Sequence, residues 1–217
     1  MTVCEESSFR SLVSAGSRIL GIRLPGFALS VFEQYAEFLL QWNRRLNLTS
    51  LQAKKDLAVL HFLDSLTILK LLPLGARSLL DIGSGAGFPG MVLKIAQPQL
   101  NVFLLDPNQR KMVFLKNLCA HLQLAGVHFL PTPIQELPLQ SYSQAFDAVV
   151  SRALSLRNEQ IRKIQELLSC SGLFICMRGP ASFGDALKIP YFKLATYWGG
   201  YLPFLPVYRR VLGYAPS

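Results

Sequence analysis

The feature that most restricts the fold of this chain is a glycine-rich segment between two apolar runs. Residues 81–90 read DIGSGAGFPG, in which every second position from Gly83 through Gly85 to Gly87 is a glycine. An apolar run precedes the segment, and a second, mostly apolar run, 91–96, follows it. Glycines permit the sharp turn and the close approach of a ligand that a strand–loop–helix unit provides. The pattern therefore predicts a strand, a ligand-binding turn and a helix.

From residue 77 onward, strand-like apolar segments alternate with amphipathic helical ones. We predict strands over 78–82, 102–106, 127–131, 146–151 and 172–178, and helices over 88–97, 108–124 and 157–169. Such alternation gives right-handed crossovers and a largely parallel sheet with helices on both faces. Two further segments, 191–197 and 206–213, suit an antiparallel hairpin at the sheet edge, with its turn marked by Gly199-Gly200 and nearby prolines.

The first 75 residues have a helical periodicity instead. One apolar stripe at spacings of three and four consists of Phe32, Tyr35, Phe38, Leu39 and Trp42. A second amphipathic stretch, 54–72, ends at a proline and a glycine. We therefore predict an α/β chain with a helical N-terminal extension over 1–75 and a Rossmann-like domain over 76–217, which together form one compact unit.

Composition and charge narrow the class of protein. The chain has 217 residues, is 51% hydrophobic and carries a net charge of +9, and residues 76–217 hold 14 Lys/Arg against 7 Asp/Glu. A basic protein with a substantial core suits a polyanionic partner, most simply nucleic acid. No apolar stretch reaches the roughly 18 residues of a membrane span, and the four cysteines lack CxxC spacing. We expect a cytoplasmic monomer with reduced, buried cysteines, no membrane segment and no metal site.

Two acidic residues mark the ends of the first two predicted strands. Asp81 lies two positions before Gly83, and Asp106 ends the second strand. This arrangement suits a nucleoside cofactor at the carboxyl ends of neighbouring parallel strands. Asp81 would repel a pyrophosphate but attract an ammonium or sulfonium group. S-Adenosylmethionine carries both cations and no phosphate, so we predict its methionine moiety over the loop and its ribose hydroxyls at Asp106.

Several short motifs, taken in order, are similar to those of one enzyme family. They are NLTS at 47–50, HFLDS at 61–65, the glycine loop with its FPG ending, LLDP with RK after it at 105–111, IQEL at 134–137 and SRA at 151–153. This ordered set resembles the 16S ribosomal RNA guanine-N7 methyltransferases of the RsmG (GidB) type. The resemblance implies a class I S-adenosylmethionine-dependent methyltransferase with a mostly parallel seven-stranded sheet. It also implies methylation of one guanine, nucleotide 527, in the decoding-region loop of 16S RNA, either as RNA or within the 30S subunit or its assembly intermediate.

The resemblance adds residues to the expected cofactor site, namely Phe88 in the loop, Ile134 and Gln135 after the third strand and Arg152 after the fourth. The full expected set is Asp81, Gly83, Gly85, Gly87, Phe88, Asp106, Ile134, Gln135 and Arg152. Candidates for positioning the substrate are Arg152, His61 and Asp64. We expect no general base, because N7 of neutral guanine carries no proton.

Candidate RNA contacts are basic residues near the expected site and in the tail: Arg110, Lys111, Arg178, Arg209 and Arg210. Ordinary structural roles remain open for Arg152, His61, Asp64, Phe88, Arg110 and Lys111. Other classes of protein share parts of the pattern. These are methyltransferases for another RNA, a protein or a small molecule, nicotinamide dinucleotide enzymes, and RNA-binding modules without catalysis.

Overall fold

The computed structural model describes residues 8–152, 156–178, 192–200 and 209–216, and for the last two ranges and residue 178 it describes the backbone alone. Within these ranges the strands are β1 (Ser78–Ile82), β2 (Asn101–Leu105), β3 (Val127–Leu130), β4 (Phe146–Arg152), β5 (Leu168–Arg178), β6 (Phe192–Gly200) and β7 (Arg209–Pro216). They form one sheet in the order β3-β2-β1-β4-β5-β7-β6. The first five strands pair in parallel, and β7 pairs antiparallel with both β5 and β6.

The sheet confirms the predicted α/β fold and the antiparallel pair at its edge. The predicted turn is wrong for Gly199-Gly200, because both glycines belong to the end of β6 and pair with Arg210 and Arg209. The nearby prolines that were expected to share this turn lie outside the described residues. Glycine keeps its backbone donor and acceptor and can extend a ladder, so a glycine pair does not by itself mark a turn.

The helices cover both faces of the sheet. Within the described residues the α-helices are α1 (Phe9–Ile19), α2 (Ala28–Leu46), α3 (Lys54–Leu57), α4 (Asp64–Leu66), α5 (Gly90–Ala96), α6 (Gln109–His121), α7 (Leu139–Tyr142) and α8 (Asn158–Leu167). The stretch predicted as one helix over 54–72 changes form along its length. A π-helix (Ala58–Leu63) separates α3 from α4, and a 3-10 turn (Thr67–Lys70) follows.

Alternate residues of β1 belong to two different apolar clusters. Leu79 contributes to the cluster that contains the N-terminal helices, α5 and α6, whereas Leu80 contributes to the cluster beneath α8. This is the alternation expected of a strand that is buried on both faces. The N-terminal helices therefore share a core with one face of the sheet, and the predicted division at residue 75 stays a prediction.

Two further expectations concern membrane-spanning helices and the burial of the cysteines. No helix in the described part of the chain is long and apolar enough to cross a bilayer. Cys119 and Cys176 are buried, but Cys170 is exposed, so the expectation of burial is wrong for that residue. Cys170 lies near the start of β5, at the edge of the core, where an apolar sequence context does not ensure burial. Cys4 lies outside the described residues.

Candidate functional site

The glycine loop connects β1 to α5 and has the conformation that its sequence predicts. Gly83, Gly85 and Gly87 have φ values of +72°, +57° and +97°. These lie in the left-handed region that favours glycine. The amide nitrogen of Gly83 donates to the carbonyl oxygen of Leu105 at 2.7 Å. This bond fixes the start of the loop against the carboxyl end of β2.

The glycines of the loop differ in their surroundings. A Cβ atom at Gly85 would meet only the Gly83 carbonyl oxygen within 4 Å, at 3.8 Å. A Cβ atom at Gly87 would lie 2.6 Å from the Tyr35 hydroxyl, and one at Gly90 would lie 2.7 Å from Asp81 Oδ2. Gly85 therefore leaves space for a ligand, whereas Gly87 and Gly90 are needed for packing.

Asp81 is a buried carboxyl group at the end of β1. Its Oδ2 accepts a hydrogen bond from the Gly90 amide at 2.8 Å. Its Oδ1 is also buried and has no hydrogen-bond partner among the described residues. Burial raises the pKa of Asp81 from 3.8 to about 7, the Gly90 amide and Arg152 lower it, and Asp106 raises it further. A buried oxygen without a donor suits a ligand that brings a cationic N–H group.

Asp106 follows β2 and organises the neighbouring backbone. Its Oδ1 accepts from the Asn108 amide at 2.9 Å, and its Oδ2 accepts from the Gly85 amide at 3.1 Å. The ammonium of Lys111 lies 3.5 Å from Oδ2. Oδ2 thus has two donors, whereas Oδ1 accepts from Asn108 and has a second lone pair. Asp106 therefore holds the loop in place and keeps acceptor capacity for hydroxyl groups.

A cleft of about 170 Å³ lies at the carboxyl ends of β1 and β2. Its lining includes three residues of the predicted site: Gly83, Ile134 and Gln135. It also includes residues that the sequence analysis missed: Pro107, Leu156 and Gln160. Leu156 and Gln160 come from the segment after β4, where no local motif distinguishes them. A larger cavity, about 480 Å³, lies along the end of α2, and its described lining contains none of the predicted site residues.

Phe88 belongs to an aromatic cluster beneath the loop. It is only 2% exposed. Its ring stacks on Tyr35, with 5.0 Å between centroids and 6° between planes, and it also contacts His61 and Phe62. The Tyr35 hydroxyl donates to the Ala86 carbonyl oxygen at 2.5 Å. Burial raises the pKa of this hydroxyl well above its ordinary value. The contact of Phe88 with the cofactor stays a prediction.

The three candidates for positioning the substrate lie together. Arg152 Nη1 is 3.2 Å from His61 Nδ1 and 3.7 Å from Asp64 Oδ2. The guanidinium carbon lies 5.4 Å from the centroid of the Phe88 ring. Arg152 ends β4, the strand next to β1, so the sheet places this cation on the same edge as Asp81.

The candidate RNA contacts have different environments. Arg110 is exposed in the first turn of α6, whereas Lys111 is half-buried beside Asp106. The backbones of Arg178 and Arg210 are paired between β5 and β7, and Arg209 pairs with the end of β6. The side chains of Arg178, Arg209 and Arg210 lie outside the described part of the structure. Among the described residues, no three His, Cys, Asp or Glu side chains are grouped to hold a metal ion.

Comparison with known proteins places the chain in a family. Residues 28–189 match the family described as rRNA small subunit methyltransferase G. The ribosomal RNA small subunit methyltransferase G of Alkaliphilus oremlandii is 32% identical over 173 residues, which are 79% of this chain and 72% of the relative. The protein of the same name from Acinetobacter baumannii is 36% identical over 164 residues, which are 76% and 77% of the two chains.

A solved structure gives the same fold. The crystal structure of a TehB-like SAM-dependent methyltransferase from Corynebacterium glutamicum aligns with a TM-score of 0.56 at 17% identity, over 85% of this chain and all of that one. Fold likeness at this identity does not define a substrate. The family match covers three quarters of the chain and includes the glycine loop, Asp106 and Arg152. This chain is a member of the rRNA small subunit methyltransferase G family.

Proposed function

We propose that this chain transfers a methyl group from S-adenosylmethionine to N7 of guanine 527 in the decoding-region loop of 16S ribosomal RNA. One observation of the site carries the proposal. Asp81 is the penultimate residue of the strand that enters the glycine loop, and its buried Oδ1 has no donor among the described residues. Such an oxygen suits a cationic amino-acid moiety and not a pyrophosphate. Family membership supports the RNA substrate.

The residues present fit the cofactor in chemistry. Asp81 would accept from the ammonium group of its methionine moiety, and Asp106 would accept from the ribose hydroxyls. Ile134 and Gln135 line the cleft beside Gly83, where apolar walls suit a flat purine ring. Arg152 would meet the carboxylate of the same moiety or a phosphate of the RNA.

Catalysis at this site would depend on positioning of the reactants and on electrostatic stabilisation. S-Adenosylmethionine supplies an activated methyl group on a sulfonium. Because neutral guanine has a lone pair and no proton at N7, the chain needs no general base. Its residues would fix the base and the methyl donor in line and exclude water. The methylated guanine carries a positive charge, and the carboxyl groups of Asp64, Asp81 and Asp106 give this region acceptors that offset it.

The RNA would approach the edge of the sheet at which Asp106 and Arg152 lie. Arg110 is exposed beside this edge, and the net charge of +9 favours a polyanion. The tail residues Arg178, Arg209 and Arg210 would add phosphate contacts. We propose that the enzyme acts as a monomer in the cytoplasm, on 16S RNA, the 30S subunit or its assembly intermediate.

Methyl transfer can be mapped to a single nucleotide. The purified chain and radiolabelled S-adenosylmethionine would be incubated with 16S RNA and with 30S subunits from cells that lack this modification. Borohydride–aniline cleavage followed by primer extension should then give a stop at nucleotide 527. Arg110→Glu should weaken RNA binding, whereas the same change at Arg18, an exposed arginine of α1, should not. Label in protein or small molecules only, or a stop elsewhere, would contradict the proposal.

A further inference from the structure

A continuous set of hydrogen bonds joins the end of α2 to Arg152 at the end of β4. It begins at Asn43, which is buried in the last turns of α2. The Asn43 side-chain nitrogen donates to the Thr49 carbonyl oxygen at 2.8 Å, and its oxygen accepts from the Thr49 amide at 2.9 Å. Because a backbone acceptor and donor fix both ends of this amide, its orientation is defined. Asn43 therefore holds Thr49 in one position after α2.

Thr49 continues the set to the π-helix. Its Oγ1 accepts from the Leu51 amide at 3.2 Å and lies 2.9 Å from His61 Nε2. His61 Nδ1 lies 3.2 Å from Arg152 Nη1 and 3.1 Å from the Leu60 carbonyl oxygen. π-Helical turns are rare and occur frequently at functional sites. Here the turn carries His61 between Thr49 and Arg152.

The distances fit either neutral tautomer of the imidazole, because Nδ1 lies near both a carbonyl acceptor and a guanidinium donor. The contact with Arg152 is the one that favours a single tautomer. A guanidinium group has only donors, so the nitrogen that faces Arg152 must offer a lone pair. Nη1 also donates to the Leu60 carbonyl oxygen at 3.4 Å, so its two hydrogens serve two acceptors that lie close together. With Nη1 as the donor to His61, Nδ1 is unprotonated, and Nε2 carries a proton that Thr49 Oγ1 can accept. An imidazolium would instead place a second positive charge beside Arg152.

We propose that Thr49 and His61 are positioning residues for Arg152, and that His61 acts as the neutral Nε2–H tautomer. Arginine has many rotamers, and ordering it at a site has an entropic cost. Here Nη1 contacts His61 Nδ1 at 3.2 Å, the Asp64 carboxylate attracts it from 3.7 Å, and the centroid of the Phe88 ring lies 5.4 Å from the guanidinium carbon. The N-terminal helical extension thus positions the Arg152 guanidinium at the edge of the sheet where the cofactor would bind. The effect on methyl transfer rests on the proposed function.

The first test reads the tautomer directly and requires no catalysis. The chain has three histidines, so nitrogen-15 NMR of the imidazole rings in the full-length protein gives three sets of signals. Loss of one set in His61→Gln assigns the residue. At pH 7 we expect Nε2 protonated and Nδ1 unprotonated, with this preference reduced in Thr49→Val. A protonated Nδ1, an imidazolium at pH 7, or a preference unchanged by Thr49→Val would overturn the proposal.

The second test compares two substitutions at Thr49. Thr49→Val keeps the shape and removes the oxygen, and Thr49→Ser keeps the oxygen. We expect Thr49→Val to lower kcat/KM by about 10-fold, the scale of losing an orienting partner of a site group, and Thr49→Ser to stay near wild type. Equal loss in both variants, or no loss in Thr49→Val, would overturn the positioning role. A wild-type chain that methylates no RNA would contradict the proposed function but leave the NMR result readable.

Discussion

The two sides of the glycine loop differ in what they contact. On the inner side, Gly87 and Gly90 leave room for the Tyr35 hydroxyl and for Asp81 Oδ2, at distances that no side chain at either position could share. On the outer side, Gly85 faces no atom closer than 3.8 Å to its absent Cβ. Glycines of one short segment therefore meet two physical requirements, dense packing on the inner side and ligand access on the outer side.

This difference has a consequence for mutations. A change on the inner side should act mainly on the free energy of unfolding, because it disturbs buried contacts. A change on the outer side should act mainly on cofactor affinity, because it fills space that the folded chain leaves open. Measuring both quantities for each variant separates the two sides.

The largest effect is expected for Gly87→Ala. The φ value of +97° is strained for any residue with a Cβ atom, and the new methyl would lie 2.6 Å from the buried Tyr35 hydroxyl and 2.8 Å from Met91 Cγ. We expect a loss of about 3 kcal/mol in the free energy of unfolding. Urea denaturation measures it. A variant as stable as the wild type would show that the inner side is not tightly packed.

Gly85→Ala should weaken cofactor binding more than it lowers the free energy of unfolding. Its φ of +57° is accessible to alanine at a cost of about 1 kcal/mol, and the added methyl meets open space. We expect cofactor affinity to fall by about 100-fold, since the methyl occupies the ligand's approach. Calorimetric titration with S-adenosylmethionine measures it. If the free energy of unfolding falls by more than the free energy of cofactor binding, the distinction between the two sides does not hold.

The parts of this loop that follow from local sequence were predictable. Strands β1 to β5 are mostly apolar segments, and the loop has its own glycine spacing, so the sequence pattern was sufficient to place Asp81, Gly83 and Asp106 at one edge. The change from α-helix to π-helix at 58–63 has no such signal, because the segment reads AVLHFL and contains no glycine or proline to mark a change of helix form. Amphipathic spacing therefore gave one long helix where the structure has four segments.

Contacts between distant segments were not predictable. Tyr35 fits an apolar stripe in the sequence, yet its hydroxyl bonds Ala86, which is 51 positions away. Leu156 and Gln160 line the cleft because β4 happens to end beside it, and their residue types are ordinary for a loop and a helix start. His61 and Arg152 were singled out separately, but their contact depends on how the π-helix packs against β4. Tertiary packing, which spacing does not encode, decides each of these cases.

Asp81 belongs to the inner side through Oδ2 and would meet the ligand through Oδ1, and Asp81→Asn removes its charge without changing its shape. The amide oxygen can still accept from Gly90, so folding should be little affected. We expect binding of S-adenosylmethionine to weaken by about 30-fold, or about 2 kcal/mol, the range of a hydrogen bond to a charged group. S-Adenosylhomocysteine keeps the ammonium and lacks the sulfonium. Equal weakening for both ligands would assign the carboxylate to the ammonium, and no weakening for either would contradict the assignment.

Cofactor affinity should also depend on pH through Asp81. Without the cofactor its pKa is about 7, chiefly because it is buried. A bound cation favours the carboxylate and lowers that pKa, so below pH 7 a proton must leave on binding. The dissociation constant should therefore rise by up to about tenfold for each pH unit below 7 and level off above it. Calorimetric titrations between pH 5.5 and 8, in two buffers of different ionisation enthalpy, measure how many protons are released on binding. Asp81→Asn should remove the dependence of the dissociation constant on pH.

The smallest effect is expected for Tyr35→Phe, which removes one hydroxyl from the inner side. The ring should still stack on Phe88, but the buried Ala86 carbonyl would lose its donor. We expect a loss of about 1 kcal/mol in the free energy of unfolding, the usual contribution of such a bond. Because the outer side is unchanged, the affinity for S-adenosylmethionine should stay within about twofold of wild type. A binding loss comparable to that of Gly85→Ala would mean that the helical extension sets the shape of the ligand face, so that packing and access are coupled through Ala86.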